Sequence, residues 1–191
     1  MDEENDKQIN QHIETIHVLL MGEKEDLDIK YIIKLFSGNF EDKNLEHYHD
    51  SKTIIMGSNK KVKLIAFDAG NIENFSQENI DKISKNPSAF AFVYEAYQEM
   101  SPDKFAEIKN MIDRVSSYYP NVVKAIVYVF KDNSLKNFEK RKVIDREISK
   151  FAKQNDTLFQ NIDCAKKETV DKLFMEIAKK VLKQDGCCSC C

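Results

Sequence analysis

Apolar positions along this chain change their spacing in a regular rhythm. Ile16, Val18, Leu19, Leu20 and Met21 form a short run that stops at Gly22, after which the apolar positions move to Ile29, Ile32, Ile33 and Phe36. Continuous apolarity followed by helical spacing predicts strand, tight turn and helix. Ser37 to Asp50 carries few apolar residues and reads as a surface loop. Ser51 to Met56 and Lys61 to Phe67 read as two strands joined through Gly57-Ser58-Asn59-Lys60, a hairpin signal, with the second ending at Asp68. Asn71 to Lys85 reads as loop and short helix.

The second half repeats the alternation. Ala89 to Tyr94 and Val122 to Val129 are continuous apolar runs, the pattern of strands covered on both faces as in a parallel sheet. Between them Ser101-Pro102-Asp103 starts a helix with a capping hydroxyl, a proline at the first helical position and a carboxylate in the first turn. Phe105, Ile108, Ile112 and Val115 continue it on one face as far as Pro120. A charged helix with Phe138, Ile144, Ile148 and Phe151 follows, then a short strand through Leu158 and Phe159, then a helix from Thr169 to Lys183. This order predicts an α/β fold: a doubly wound, mostly parallel six-stranded sheet with helices on both faces and ligands at the carboxyl ends of the strands. Residues 1–14 read as a flexible acidic N-terminus, 15–184 as the domain and 185–191 as a cysteine-rich tail.

Composition narrows the classes. With 191 residues, 42% of them hydrophobic, the chain suits one domain with a sizeable core. A net charge of −3 gives no general attraction to nucleic acid. No apolar run approaches the roughly 18 residues that cross a bilayer, and Met1 to Asp6 is acidic where a signal peptide would be basic and then apolar. The expected compartment is therefore the cytosol. Cys164 stands alone in the body while Cys187, Cys188, Cys190 and Cys191 crowd the last five positions, a distribution unlike a disulfide framework. His47-Tyr48-His49 has no third ligand in sight and reads as exposed rather than as a metal site.

The strand, turn and helix at Gly22 have the build of a phosphate-binding loop, in which a helix N-terminus aims free N–H groups at an anion. The residues contradict that use. Against G-x-x-x-x-G-K-[ST] only Gly22 is kept; Leu27, Asp28 and Ile29 stand where the second glycine, the lysine and the hydroxyl residue belong. Glu23, Glu25, Asp26 and Asp28 place four carboxylates where a triphosphate would lie.

In this setting Phe67-Asp68-Ala69-Gly70-Asn71-Ile72-Glu73-Asn74-Phe75 is similar to the W-D-T-A-G-Q-E-R-F of the Ras-like small GTPases. Phe130-Lys131-Asp132-Asn133 falls where that family has N-K-x-D, and Asp163-Cys164-Ala165-Lys166 where it has T-S-A-K. Met100 to Ile112 resembles the helix after the family's fourth strand, and a terminal Cys-Cys resembles the Rab branch. The resemblance covers roughly Glu14 to Lys183 plus the tail. It implies a nucleotide site at Gly22, Asp68, Lys131, Asn133, Ala165 and Lys166, with guanine nucleotide and magnesium as the cofactors if any is bound.

The departures point away from binding. The family's lysine neutralises the β and γ phosphates and its hydroxyl neighbour holds magnesium; Asp28 and Ile29 do neither. Ile72 replaces the glutamine that orients the attacking water, and Asn71 a glycine that meets the γ phosphate. Leu45 to His47 stand where the first switch has threonine. Phe130 replaces the asparagine of the base motif, and Asn133 the carboxylate that pairs with guanine, which weakens guanine specificity. Asp68 is expected as a surface carboxylate, Lys131 and Lys166 as solvated lysines, and Cys164 as a buried small side chain.

In the tail, the resemblance makes Cys190 and Cys191 prenyl acceptors and leaves Cys187 and Cys188 as palmitoylation or alternate sites; two chains anchor a protein stably where one holds marginally. As a C-a-a-X signal the ending is poor, since it lacks aliphatic positions. The leading expectation is a Rab-like pseudo-GTPase, with no catalytic residues and no bound cofactor. It would be lipid-anchored at the cytoplasmic face of an intracellular membrane with a cytosolic pool, and its partners would be effector and prenyl-escort proteins. A divergent GTPase that binds and slowly hydrolyses GTP is the second reading, and a cysteine-tail metal or redox module the third.

Overall fold

The computed structural model describes residues 13–22, 29–41, 48–95, 102–130, 138–184 and 186, without the side chains of 58, 102–104 and 138–145. Along the chain come β1 (Glu14–Gly22), α1 (Ile29–Ser37), β2 (His49–Met56), the 3-10 turn η1 (Gly57–Asn59), β3 (Lys60–Asn71) and η2 (Ile72–Asn74). There follow α2 (Gln77–Ile83), β4 (Ala89–Glu95), α3 (Pro102–Tyr118), β5 (Val123–Phe130), α4 (Phe138–Gln154), β6 (Leu158–Asp163) and α5 (Lys167–Gln184). The six strands form one sheet in the order β2-β3-β1-β4-β5-β6, parallel except for the β2–β3 hairpin. This is the doubly wound α/β architecture the apolar pattern predicts.

The continuous apolar strands divide their side chains between two cores, because successive residues point to opposite faces. Ile16, Val18 and Leu20 of β1 pack with α1 and α5, while Leu19 and Met21 pack with α2, α3 and α4. β4 shows why the two faces differ in texture. Ala89, Ala91 and Val93 leave room for α1 and α5 to lie close, and Phe90, Phe92 and Tyr94 fill the other side. The rings of Phe36 and Phe174 stack 3.8 Å apart where α1 meets α5, and a truncation of either to alanine costs about 3–5 kcal/mol.

Several boundaries differ from expectation for physical reasons. β3 runs past Asp68 to Asn71, because Gly22 of β1 still pairs with Asn71 after a register shift. β2 pairs with β3 from His49 onward, with His49 opposite Phe67 and Asp50 opposite Ala66, so the loop expected to reach Asp50 ends earlier. Tyr48, in the stretch read as exposed, is 3% exposed and belongs to the core, whereas His49 is on the surface. β6 extends through Gln160 and Asn161 to Asp163. Cys164 is half-buried rather than buried, at the margin of the α1/α5 core.

Candidate functional site

The carboxyl edge of the sheet presents two clusters. At the first, β1 ends in buried Gly22 and β3 ends beside it, with Leu20 opposite Asp68 and Gly22 opposite Asn71. Asp68 is half-buried, not a free surface carboxylate. Its Oδ1 accepts from the Gly70 N–H at 3.0 Å, and its own N–H donates to the Tyr48 carbonyl at 2.8 Å. Gly70 takes φ +78°, a left-handed turn that glycine enters without strain. Asn71 then caps η2 by accepting from the Glu73 N–H at 2.9 Å. This folds Ile72 inward to 9% exposure.

Across from β3, α1 begins with Ile29, 4% exposed and packed into the core with Ile33 and Phe36. An open cavity of about 450 Å³ lies between α1, the end of β3 and α2, with Lys30, Asp68, Asn71, Asn79 and Lys82 among its polar lining. The sequence reading passed over Lys30 and Lys82, since isolated lysines in amphipathic helices carry no motif. Residues 23–28, which include the acidic loop positions Glu23, Glu25, Asp26 and Asp28, lie outside the described residues, as do Leu45 to His47.

The second cluster joins β5 and β6, where Phe130 stands opposite Asp163. Asp163 organises the turn that follows. Its Oδ1 accepts from the Ala165 N–H at 2.9 Å, and its Oδ2 sits 3.3 Å from the Lys166 ammonium. The Thr169 hydroxyl accepts from the Asp163 N–H at 3.0 Å and lies 2.8 Å from the Lys166 carbonyl. Ala165 and Lys166 are therefore together and exposed, but their hydrogen-bonding groups face Asp163. Lys131 and Asn133 lie outside the described residues. So do Cys187, Cys188, Cys190 and Cys191.

Two further cations, both unremarked in the sequence, lock helices beside these clusters. Lys167 donates to the carbonyls of Leu35 and Phe36 at the end of α1, 3.1 Å to the second, and so satisfies acceptors the helix leaves open. Arg114 of α3 donates to the Phe75 carbonyl at 2.7 Å, with its guanidinium 5.2 Å from the Phe75 ring centre. Beneath α2, His17 Nδ1 lies 2.8 Å from the hydroxyl of Ser84, the residue that caps that helix, and burial lowers the His17 pKa. Among the described residues no group of three histidine, cysteine or carboxylate side chains is placed to hold a metal. Nor is any described helix long and apolar enough to cross a membrane.

A parallel sheet wound on both faces, with turns after β3 and β6 in the order found here, defines a P-loop small-GTPase-like domain. The sequence model of the Ras family matches residues 30–183. The chain belongs to the Ras family. No curated protein matches the chain.

Members of this family as a class take guanine nucleotide with magnesium, and the phosphate end of the described site does not fit that pair. Ile29 offers a buried alkyl group where a hydroxyl would meet magnesium, and Ile72 a buried alkyl group where an amide would hold water. At the base end the Ala165 N–H is already engaged by Asp163.

Proposed function

We propose that this Ras-family domain is a Rab-like pseudo-GTPase: a lipid-anchored adaptor that presents one fixed surface to trafficking partners without a hydrolysis-driven switch. The observation that carries the reading is Ile29. Its side chain is an alkyl group packed into the core, with no donor atom to offer magnesium. The family match begins at Lys30, after the whole stretch from Gly22 to Ile29 in which the phosphate chemistry is missing. Lipid attachment at Cys190 and Cys191, with Cys187 and Cys188 as further acceptors, supplies the membrane contact at the cytoplasmic face of an intracellular membrane, and prenyl-escort proteins maintain the cytosolic pool.

The competing reading, a slow GTPase, rests on Asp68 and Lys30 lining one polar cavity. Nucleotide content separates the two. Heat extraction of the purified protein followed by ion-exchange chromatography yields no stoichiometric guanine nucleotide on the adaptor reading; close to one equivalent of GDP or GTP overturns it. Melting temperature gives an independent check. A ligand at a hundredfold excess over its Kd adds about 2.7 kcal/mol of stability, so GDP with magnesium, or EDTA, leaves the melting temperature unmoved if the adaptor reading holds.

A further inference from the structure

The amino edge of the sheet, at the far end from both clusters, is where β1, β3, β4, β5 and β6 begin and where α5 ends. Four lysines stand exposed along it: Lys61 at the start of β3, Lys85 ahead of β4, and Lys153 and Lys183 in the last turns of α4 and α5. None of the four forms an ion pair with a described residue. The described carboxylates nearby are each held by a neighbour: Glu14 by Lys60 at 2.5 Å, Asp156 by Lys180 at 2.6 Å, and Asp81 by the Tyr119 hydroxyl at 2.9 Å. Two apolar side chains flank Lys61. Ile55 pairs with it across the hairpin and Ile13 precedes Glu14, the partner of Val62; they are 64% and 45% exposed.

We infer that this edge lies directly on an anionic bilayer, with the four lysines against lipid head groups and Ile13 and Ile55 at the boundary with the acyl chains. The inference rests on the proposed lipid anchor for what brings the bilayer here. Cys190 comes six residues after Gln184, the last residue of α5, a reach of at most about 22 Å. A nine-residue strand such as β1 is about 30 Å long, so lipid on the tail keeps the amino edge the nearer one. Charge then presses that edge onto the surface. Each lysine brought to an anionic membrane is worth about fivefold in partition, and exposed aliphatic groups beside lysines suit the head-group boundary. The connection from β1 to α1 at the opposite edge carries Glu23, Glu25, Asp26 and Asp28, which the same surface repels. A chain of net charge −3 thus offers a positive edge because its charges are sorted between the two ends of the strands. Asp2, Glu3, Glu4 and Asp6 ahead of β1, and Asp185 ahead of the tail, oppose the attraction, so their neutralisation strengthens it.

The test uses full-length Cys164→Ser protein, methyl-labelled at isoleucine and coupled through its tail cysteines to maleimide lipid in nanodiscs that also carry a gadolinium-chelating lipid. Phosphatidylcholine discs give the baseline set by coupling alone. In discs of equal parts phosphatidylserine and phosphatidylcholine, line broadening is expected to rise at Ile13 and Ile55, and not at Ile29 or Ile72 near the opposite edge. Lys61→Gln, Lys85→Gln, Lys153→Gln and Lys183→Gln together return the spectrum to baseline with the melting temperature unchanged. Salt at about 1 M, where screening acts beyond about 3 Å, does the same. Asp2→Asn, Glu3→Gln, Glu4→Gln and Asp6→Asn together enlarge the rise. Equal spectra in the two kinds of disc overturn the proposal, as does a rise that survives the glutamine variant. Lysine-dependent shifts with polyglutamate and none with phosphatidylserine assign the edge to an acidic protein and overturn it too. Intact mass of the protein from eukaryotic cells reports on the anchor separately: missing prenyl groups with the rise intact remove the anchor alone, and prenylated protein without the rise removes the membrane-facing edge alone.

Discussion

The phosphate end and the base end of the sheet edge are built in opposite ways. At the phosphate end Ile29 and Ile72 are both core residues. At the base end polar groups remain, but they bond to one another, with Asp163 holding both the Ala165 N–H and the Lys166 ammonium. The first end is fused with the protein's stability and the second is not. An edge position can therefore be engaged either by the core or by its polar neighbours, and the two differ in how they respond to substitution.

The largest expected effect comes from restoring the hydroxyl at the phosphate end. Ile29→Ser removes a buried aliphatic side chain and should cost about 2–4 kcal/mol, a melting-temperature drop of roughly 2–4 °C for each kcal/mol in a chain of this size. Magnesium and GDP should recover none of it in calorimetry; recovery by ligand would break the contrast. At the base end Asp163→Ala deletes one hydrogen bond and a partly exposed ion pair and should cost about 1 kcal/mol. It also frees the Ala165 N–H, so any residual base affinity should rise rather than fall in a fluorescent-nucleotide titration.

A smaller response is expected from pH, through His17. Burial holds its pKa below 6.5 in the folded protein, so the unfolded chain takes up the proton first. Stability is then constant above that unfolded value, declines as pH falls below it, and levels once the folded pKa is passed. His17→Phe should flatten this part of a plot of melting temperature against pH; an unchanged slope would exclude the contact with Ser84 as its source. The smallest effect belongs to Lys166→Ala. Its side chain is 61% exposed, and loss of such a pair should change stability by no more than about 0.5 kcal/mol.

How far all this was legible in the chain follows from what makes a signal local. β1, β4 and β5 announce themselves because strands covered on both faces are apolar without a break. β3 beyond Asp68 and β2 before Ser51 do not, since Asn71, His49 and Asp50 are polar and pair only because the backbones of Gly22, Phe67 and Ala66 lie beside them. The resemblance puts Asp68 at the end of β3, which in fact runs on to Asn71, and Ala165 and Lys166 just after β6, where they lie. Their hydrogen-bond partners were not legible, nor were the roles of Arg114 and Lys167, whose carbonyl acceptors lie 39 and 131 residues away in sequence. Such contacts depend on the completed fold, and no window of neighbouring residues contains them.

The turn at Gly70 bears on the order in which changes at this edge are reversible. The family motif has alanine at this position and glycine at the next, whereas here Gly70 carries the left-handed backbone, at φ +78°, and Asn71 is extended, at φ −82°. Gly70→Ala alone puts a β-carbon into a conformation that disfavours it by about 1–2 kcal/mol, although nothing crowds the space around it. Asn71→Gly alone removes the cap of η2 and leaves two adjacent glycines. Each single exchange toward the family motif is therefore disadvantageous, and only the double exchange relocates the bend.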